Sequence, residues 1–322
     1  MTLTMAAHIT FGAAHGRPSF VVKQVSSVRI DSSWQEFTDR AEIVLPRNVQ
    51  YFRKYKVGEV FQVGDPVTIQ LGYGTGALPI EFEGYLSDVG EGIPITLKCE
   101  DEMYQLKRGT VSFSKKEASL KDLLQAIAPG YEIDCPEVSL GTVRYANVAP
   151  IKILEDLKNE AGISTYFEGK VLRSGIIYGA KSDAEIVKIK LEQNAVSENL
   201  NKKSSATDKV LIRAISLLKH GKKLEVEIGD EGGTSIQRYY IGVEVEAELK
   251  RQATEALKLY KVDGFDGTIT LFGIPRMEHR MKVELSSIYY ENIKGIYCID
   301  KVSKEFRSSG YRQEVTLGGQ SL

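Results

Sequence analysis

The chain has 322 residues, with 42 Lys and Arg against 43 Asp and Glu, for a formal net charge of −1. That length suits two or three domains and can bury roughly three quarters of the unfolded surface, so the fold needs no disulfide staples. The balanced charge argues against a general nucleic-acid binder, and Cys99, Cys135 and Cys298 are scattered without a disulfide framework or metal spacing, which points to folding in a reducing cytoplasm.

Residues 1–14 lack the basic-then-apolar order of a signal segment and read as a loose, Gly/Ala-rich end holding His8; His15 follows directly. No apolar run approaches the roughly twenty residues of a membrane span, so no stable membrane insertion is expected. From residue 19 to about 106 the pattern is β. Ala41, Ile43 and Leu45 alternate with Glu42 and Val44, and Val67, Ile69 and Leu71 with Thr68 and Gln70; Ile80, Phe82, Gly84 and Leu86 follow, then Ile95, Leu97 and Cys99. Period two with one apolar face predicts strands on one core, in a barrel or sandwich. Trp34, Tyr51, Phe52 and Tyr55 fall at loop-like positions beside these strands, where aromatics either anchor a protein interface or cap the ends of the β module. The run Gly72-Tyr73-Gly74-Thr75-Gly76-Ala77 has the letters of a dinucleotide loop, but a strand follows where that loop requires a helix, so it predicts a hairpin turn.

Beyond residue 107 the period changes. Ser119 is placed to cap a helix whose face carries Leu120, Leu123, Leu124 and Ile127, with Asp122 at the capping-box position and Pro129-Gly130 as the stop. A second helix is expected from Pro150 to Gly162, with Ile153, Leu154, Leu157 and Ala161 as its stripe. Strands follow at 164–167 and 171–172, giving a small α/β insert. Residues 201–208 are polar and read as a linker. The β pattern resumes at 210–215 and 224–228. The strongest helix spans 244–260, with Leu249, Ala253, Ala256, Leu257 and Tyr260 on one face and a favourable Glu246–Lys250 pair. Strands at 267–272, 281–288, 295–302 and 313–317 close the chain.

Two of these stretches look like copies. Val63–Leu71, Phe82–Val89 and Pro94–Cys99 run parallel in pattern to 281–285, 294–302 and 313–318, so the strand that ends at Val89 corresponds to the one that reaches Val302. A repeated β module suggests a building block rather than a catalyst. His8, His15, His220 and His279 stand apart from any metal spacing or nucleophile motif, and G-x-S-x-G is absent. No catalytic residue, metal ligand or cofactor site is assigned; a carboxylate pair for glycoside hydrolysis stays open among the many acids.

The order of these segments resembles the tail hub proteins of contractile phages, the late control protein D family, and the related hub part of type VI secretion spike proteins. The resemblance rests on Val63-Gly64-Asp65-Pro66-Val67 leading to Phe82-Glu83-Gly84-Tyr85, then residues 99–107, Ser119-Leu120-Lys121-Asp122-Leu123-Leu124, Ile153-Leu154-Glu155-Asp156-Leu157 through Gly162, Tyr166-Phe167, Gly169-Lys170-Val171-Leu172, and residues 295–302. It implies an α+β, mainly β chain: a first tube-type β-barrel domain in residues 1–106, an α/β insert domain in 107–200, and a second tube-type barrel with one long helix in 201–322. It also implies a homotrimer whose paired barrels turn threefold into pseudo-sixfold symmetry. That ring would join a hexameric tail tube protein to a trimeric spike protein, with the tape measure protein as a further partner and DNA only as passing cargo. The place would be the virion tail or baseplate, assembled in the bacterial host cytoplasm, with any piercing or wall-degrading part on a separate chain. A tail-associated peptidoglycan hydrolase and a carbohydrate- or receptor-binding tail module are the competing expectations.

Overall fold

The computed structural model describes residues 4–321 except 47–55, 75, 176–185, 204–208, 219–221, 262–263 and 290–292. The chain begins with seven strands: β1 (Met5–Phe11), β2 (Phe20–Val22), β3 (Ser27–Ser33), β4 (Arg40–Leu45), β5 (Pro66–Tyr73), β6 (Ile80–Gly90) and β7 (Ile95–Glu100). Alternation dictates their inner face. β4 buries Ala41, Ile43 and Leu45, and β7 buries Ile95, Leu97 and Cys99. These side chains share one core with Ile9, Phe11, Val28, Ile69, Leu71 and Leu86.

The next region mixes strands and helices: β8 (Val111–Ser119), α1 (Leu120–Ile127), β9 (Glu132–Asp134), β10 (Ser139–Val148), α2 (Pro150–Ala161), β11 (Ser164–Glu168) and β12 (Val171–Gly175). α1 starts on the expected capping box: Asp122 N donates to Ser119 Oγ at 3.1 Å and Ser119 N returns a bond to Asp122 Oδ2 at 2.9 Å. Hydrogen bonds from Lys115 and Ser119 hold the Asp122 carboxyl well below the usual carboxylate range. α2 begins at Pro150 and ends at Gly162, whose φ of 62° lets Ile163 N reach back to Leu157 O at 3.2 Å. Apolar stripes from both helices, including Leu124, Ile127, Ile153 and Leu157, meet in a second core.

β13 (Ile186–Lys190) and β14 (Ala195–Lys203) follow, then a compact unit of β15 (Val210–Leu217), β16 (Lys223–Gly229), β17 (Thr234–Ile241) and α3 (Glu246–Tyr260), then β18 (Gly264–Phe272), β19 (Lys282–Ser286), β20 (Gly295–Arg307) and β21 (Gly310–Ser321). α3 lays Leu249 and Ala253 on Ile212, Ala214 and Val226 of its own three-stranded sheet. The remaining strands surround a core of Ile269, Leu271, Val283, Leu285, Tyr297, Ile299, Val315 and Leu317.

The mainly β, α+β class holds. The large sheet, however, does not close into two separate barrels. It runs as one 13-stranded path, β14-β18-β21-β20-β3-β4-β7-β6-β5-β1-β2, with β19 on β20 and β13 on β19. The reason lies in β20. Its first residues pair with β19, and from Lys301 onward it pairs with β3. Closing the first module on itself would need β3 against β1, and that edge of β3 is already taken by β20.

Two local expectations differ from the structure. Residues 5–11 form a strand paired along its whole length with β5 and burying Ala7, Ile9 and Phe11, so the N-terminal end is not loose. β13 and β14, which fall within the sequence-defined insert and the start of the polar linker, pair with β19 and β18 and so add to the second module's sheet. β14 is polar because it is an edge strand with one paired side, which removes the apolar signal.

Candidate functional site

The expected copies correspond strand for strand. The first module has the lateral order β1-β5-β6-β7-β4-β3 and the second β13-β19-β20-β21-β18-β14; each is the same permutation of chain order. One partner differs in sense: β1 runs antiparallel to β5, whereas β13 runs parallel to β19. The register agrees around one bulge. Leu86 opposes Cys99 and Asp88 opposes Lys98, leaving Ser87 as the extra residue of a bulge. Ile299 opposes Leu317 and Lys301 opposes Thr316, leaving Asp300 as the extra residue of the same bulge. The backbone beside each bulge matches too. Gly64 N bonds Leu86 O and Leu86 N bonds Asp65 O; Arg280 N bonds Ile299 O and Ile299 N bonds Met281 O. Gly64 and Arg280 both sit at positive φ, 94° and 68°.

The modules meet where β20 lies on β3. This junction is polar and well connected. The bulge residue Asp300 accepts from Trp34 Nε1 at 3.1 Å and Gln35 Nε2 at 3.3 Å, while its carbonyl accepts from Ser33 Oγ at 3.2 Å. Trp34 is therefore half-buried at the contact between the modules of one chain. Tyr51, Phe52 and Tyr55 lie outside the described residues.

Deeper in the junction, Lys304 of β20 reaches Glu81 of β6, and Arg276 joins the same carboxylate at 3.2 Å. Both Lys304 and Glu81 are buried. Burial pushes the Lys304 amine below its usual range, and Glu81 works against that shift. Opposite them, Asp39 accepts from Ser32 Oγ at 2.5 Å and Ser33 N at 3.1 Å, while Asp101 accepts from Asp39 N at 3.2 Å and Met103 N at 3.0 Å. Burial raises the Asp39 carboxyl to about 6 and raises Asp101 as well, the Asp39 charge adding to the second shift. These groups line a cleft of about 390 Å³ between the modules. Asp39, Asp101 and Glu81 each accept hydrogen bonds or ion pairs that tie one segment to another.

The junction also has an apolar part. The β20–β21 hairpin extends beyond its counterpart in the first module, and its Phe306 and Tyr311 enter the first core. Tyr73 O–H donates to the Tyr311 carbonyl at 3.1 Å across the same contact. Lys304 and Glu81 were not legible as partners in the sequence. The signal available was a lysine in the inward register between Val302 and Phe306, a position that demands a buried counter-charge.

Outside the junction, Gly162 carries the ring of Tyr239 so closely that an added Cβ would overlap it, which docks the β15–β17 sheet on α2. His15 lies 3.7 Å from Asp65, and His279 packs edge-on to Tyr166. His220 is outside the described residues. Among the described residues, no helix is long and apolar enough to cross a membrane.

Comparison with known proteins gives the same fold. The chain superposes on a tail protein from Neisseria meningitidis with a TM-score of 0.67 at 14% identity, covering 99% of this chain and 97% of that one. A prophage 43 kDa tail protein from Shewanella oneidensis gives 0.64 at 13% identity, with 97% of each chain covered. An Escherichia coli component of the type VI secretion system, described as structurally similar to bacteriophage T4 tail proteins, gives 0.58 at 10% identity over 100% of this chain and 77% of that one. No family model matches the sequence, and no curated protein matches it. The resemblance expected from the order of sequence segments is thus met in three dimensions along the full chain.

Proposed function

We propose that this chain is a structural tail or baseplate hub protein, and that three copies form a pseudo-sixfold ring between a hexameric tail tube and a trimeric spike. The observation that carries this reading is the duplication: two modules with one strand permutation and one bulge, held rigidly in a single chain. Six nearly equivalent modules from three chains present a repeat that suits a sixfold tube on one face and a threefold spike on the other. The tail proteins and the type VI secretion component with this fold support the same setting. Tape measure protein contact and passage of DNA through the ring belong to this reading, as does a place in the virion tail after assembly in the host cytoplasm. Residues 1–106, 107–200 and 201–322 remain the proposed domain division, with β13 and β14 lending their pairing to the last. Tyr51, Phe52 and Tyr55 are proposed as partner contacts, beside Trp34 at the junction. The protein then acts by assembly and not by catalysis.

Light scattering across a concentration series, alone and with candidate tube and spike proteins, tests the reading. A mass of three chains is expected. A protein that stays monomeric at high concentration in the presence of both partners overturns it.

A further inference from the structure

The junction inside the chain predicts the junction between chains. Within one chain, the fifth strand of the second module (β20) receives the second strand of the first module (β3), with Lys301 opposite Ser33, Val302 opposite Ser32 and Ser303 opposite Asp31. The reciprocal pair is not formed among the described residues. β14, the counterpart of β3, ends the sheet and pairs only with β18 among the described residues. β6, the counterpart of β20, runs past its last partner on β5, Pro66 opposite Tyr85, to Gly90. Asp88, Val89 and Gly90 show no backbone bond on that outer side among the described residues.

The matched registers fix what would oppose what. The bulges equate Asp88 with Lys301, Val89 with Val302 and Gly90 with Ser303. On the other side, Ile30 opposes Ala41 and Leu200 opposes Gly267, at equivalent places on β4 and β18, so Asp31, Ser32 and Ser33 correspond to Asn201, Lys202 and Lys203. We infer that β14 of one copy adds to the free edge of β6 of a second copy in antiparallel register. Asp88 then faces Lys203, Val89 faces Lys202 and Gly90 faces Asn201. This rests on the hub reading above and names the contact that closes the ring.

Two features support a second copy as the occupant. The outer edge of a sheet is a template for another strand, and β14 is exposed along Val196, Ser197 and Asn199 where β3 is largely covered. The pairing also sets an acidic residue, Asp88, which Lys98 of its own chain contacts at 3.1 Å, opposite a basic one, Lys203. The contact is shorter than the internal one, because the β6–β7 hairpin lacks the extension that β20 and β21 make beyond Ser303.

Paired cysteines test the register. Directly opposed residues on antiparallel strands have Cβ atoms about 4.5–5.5 Å apart, close enough for small backbone shifts to allow a disulfide. In a full-length chain with Cys135→Ser and Cys298→Ser, the pair Asp88→Cys and Lys203→Cys should give covalent trimers on a non-reducing gel after mild oxidation. Val89→Cys with Lys202→Cys provides a second pair should the first disturb folding. Single substitutions should stay unlinked, and the shifted pair Asp88→Cys with Asn201→Cys should link several-fold less. A protein that is trimeric by light scattering yet links with neither opposed pair, or links equally with the shifted pair, overturns the strand contact and leaves the hub reading standing. Wild-type protein that is monomeric with its partners overturns both.

Discussion

The two β modules of this chain share their strand order, their bulge and the backbone bonds beside it, yet they end differently. In the first, the β6–β7 hairpin turns just after Gly90; in the second, the β20–β21 hairpin continues to Arg307 and Gly310. The extension carries Lys304 to Glu81, and Phe306 and Tyr311 into the first core. Lengthening one hairpin thus joins the two modules, and the shorter hairpin makes no such contact among the described residues. Equivalent strands need not have equivalent neighbours.

The comparison breaks most severely at the buried pair. Lys304→Ala leaves Glu81 buried with only Arg276 and should cost about 3–5 kcal/mol in equilibrium unfolding, whereas Lys304→Met combined with Glu81→Met should recover most of that loss. Equal costs for the single and double variants would deny that the two side chains act as one unit.

The shared bulge sharpens the comparison. Leu86 and Ile299 are both fully buried at its inner side. Leu86→Ala and Ile299→Ala should each cost about 2–5 kcal/mol by denaturant titration, in a similar amount. A large cost at one site and almost none at the other would show that the bulges carry different loads.

The positive-φ pair gives a smaller, asymmetric effect. Gly64→Ala meets no contact closer than 3.6 Å, so its cost is backbone strain alone, about 1–2 kcal/mol in thermal unfolding. Arg280→Gly relieves that strain but loses the guanidinium stacked 5.4 Å from the Tyr166 ring, and should change stability by less than about 1 kcal/mol.

The smallest effect is in pH dependence. Asp39 binds its proton more tightly in the fold than in the unfolded chain, so between its ordinary 3.8 and about 6 its contribution makes stability fall as pH rises. Asp101 faces it and shifts the same way, while Lys304 opposes the shift of Asp39 and Glu278 adds to it. Asp39→Asn should flatten the slope in that window, as read from unfolding midpoints at successive pH values. An unchanged slope would place the titration elsewhere.

Much of this was legible in the sequence because the signals were local. Alternation marked β4, β5, β6, β7 and β18 to β21; the Ser119–Asp122 capping box and the Pro150 to Gly162 span marked two helices; and the parallel between Val89 and Val302 gave the true register of the duplication. What escaped was set by neighbours distant in sequence. β1 carries two adjacent alanines that blur its alternation, and it becomes a core strand by pairing with β5 along its length. The end of β14, residues 201–203, reads as a linker because an edge strand has no second covered side. The Lys304–Glu81 contact spans the two modules, and nothing near either residue announces the other. Trp34 stands out in the sequence as an aromatic at a loop, but its partner Asp300 lies in the opposite module.

The most direct test of the central claim is an image of the assembled particle by cryo-electron microscopy at a resolution that separates the modules. The account predicts a closed ring of three chains in which first and second modules alternate around a central channel, with the β20–β3 contact inside each chain and a β6–β14 contact between chains. A ring that sets like modules side by side, or a particle with no closed ring, would contradict it.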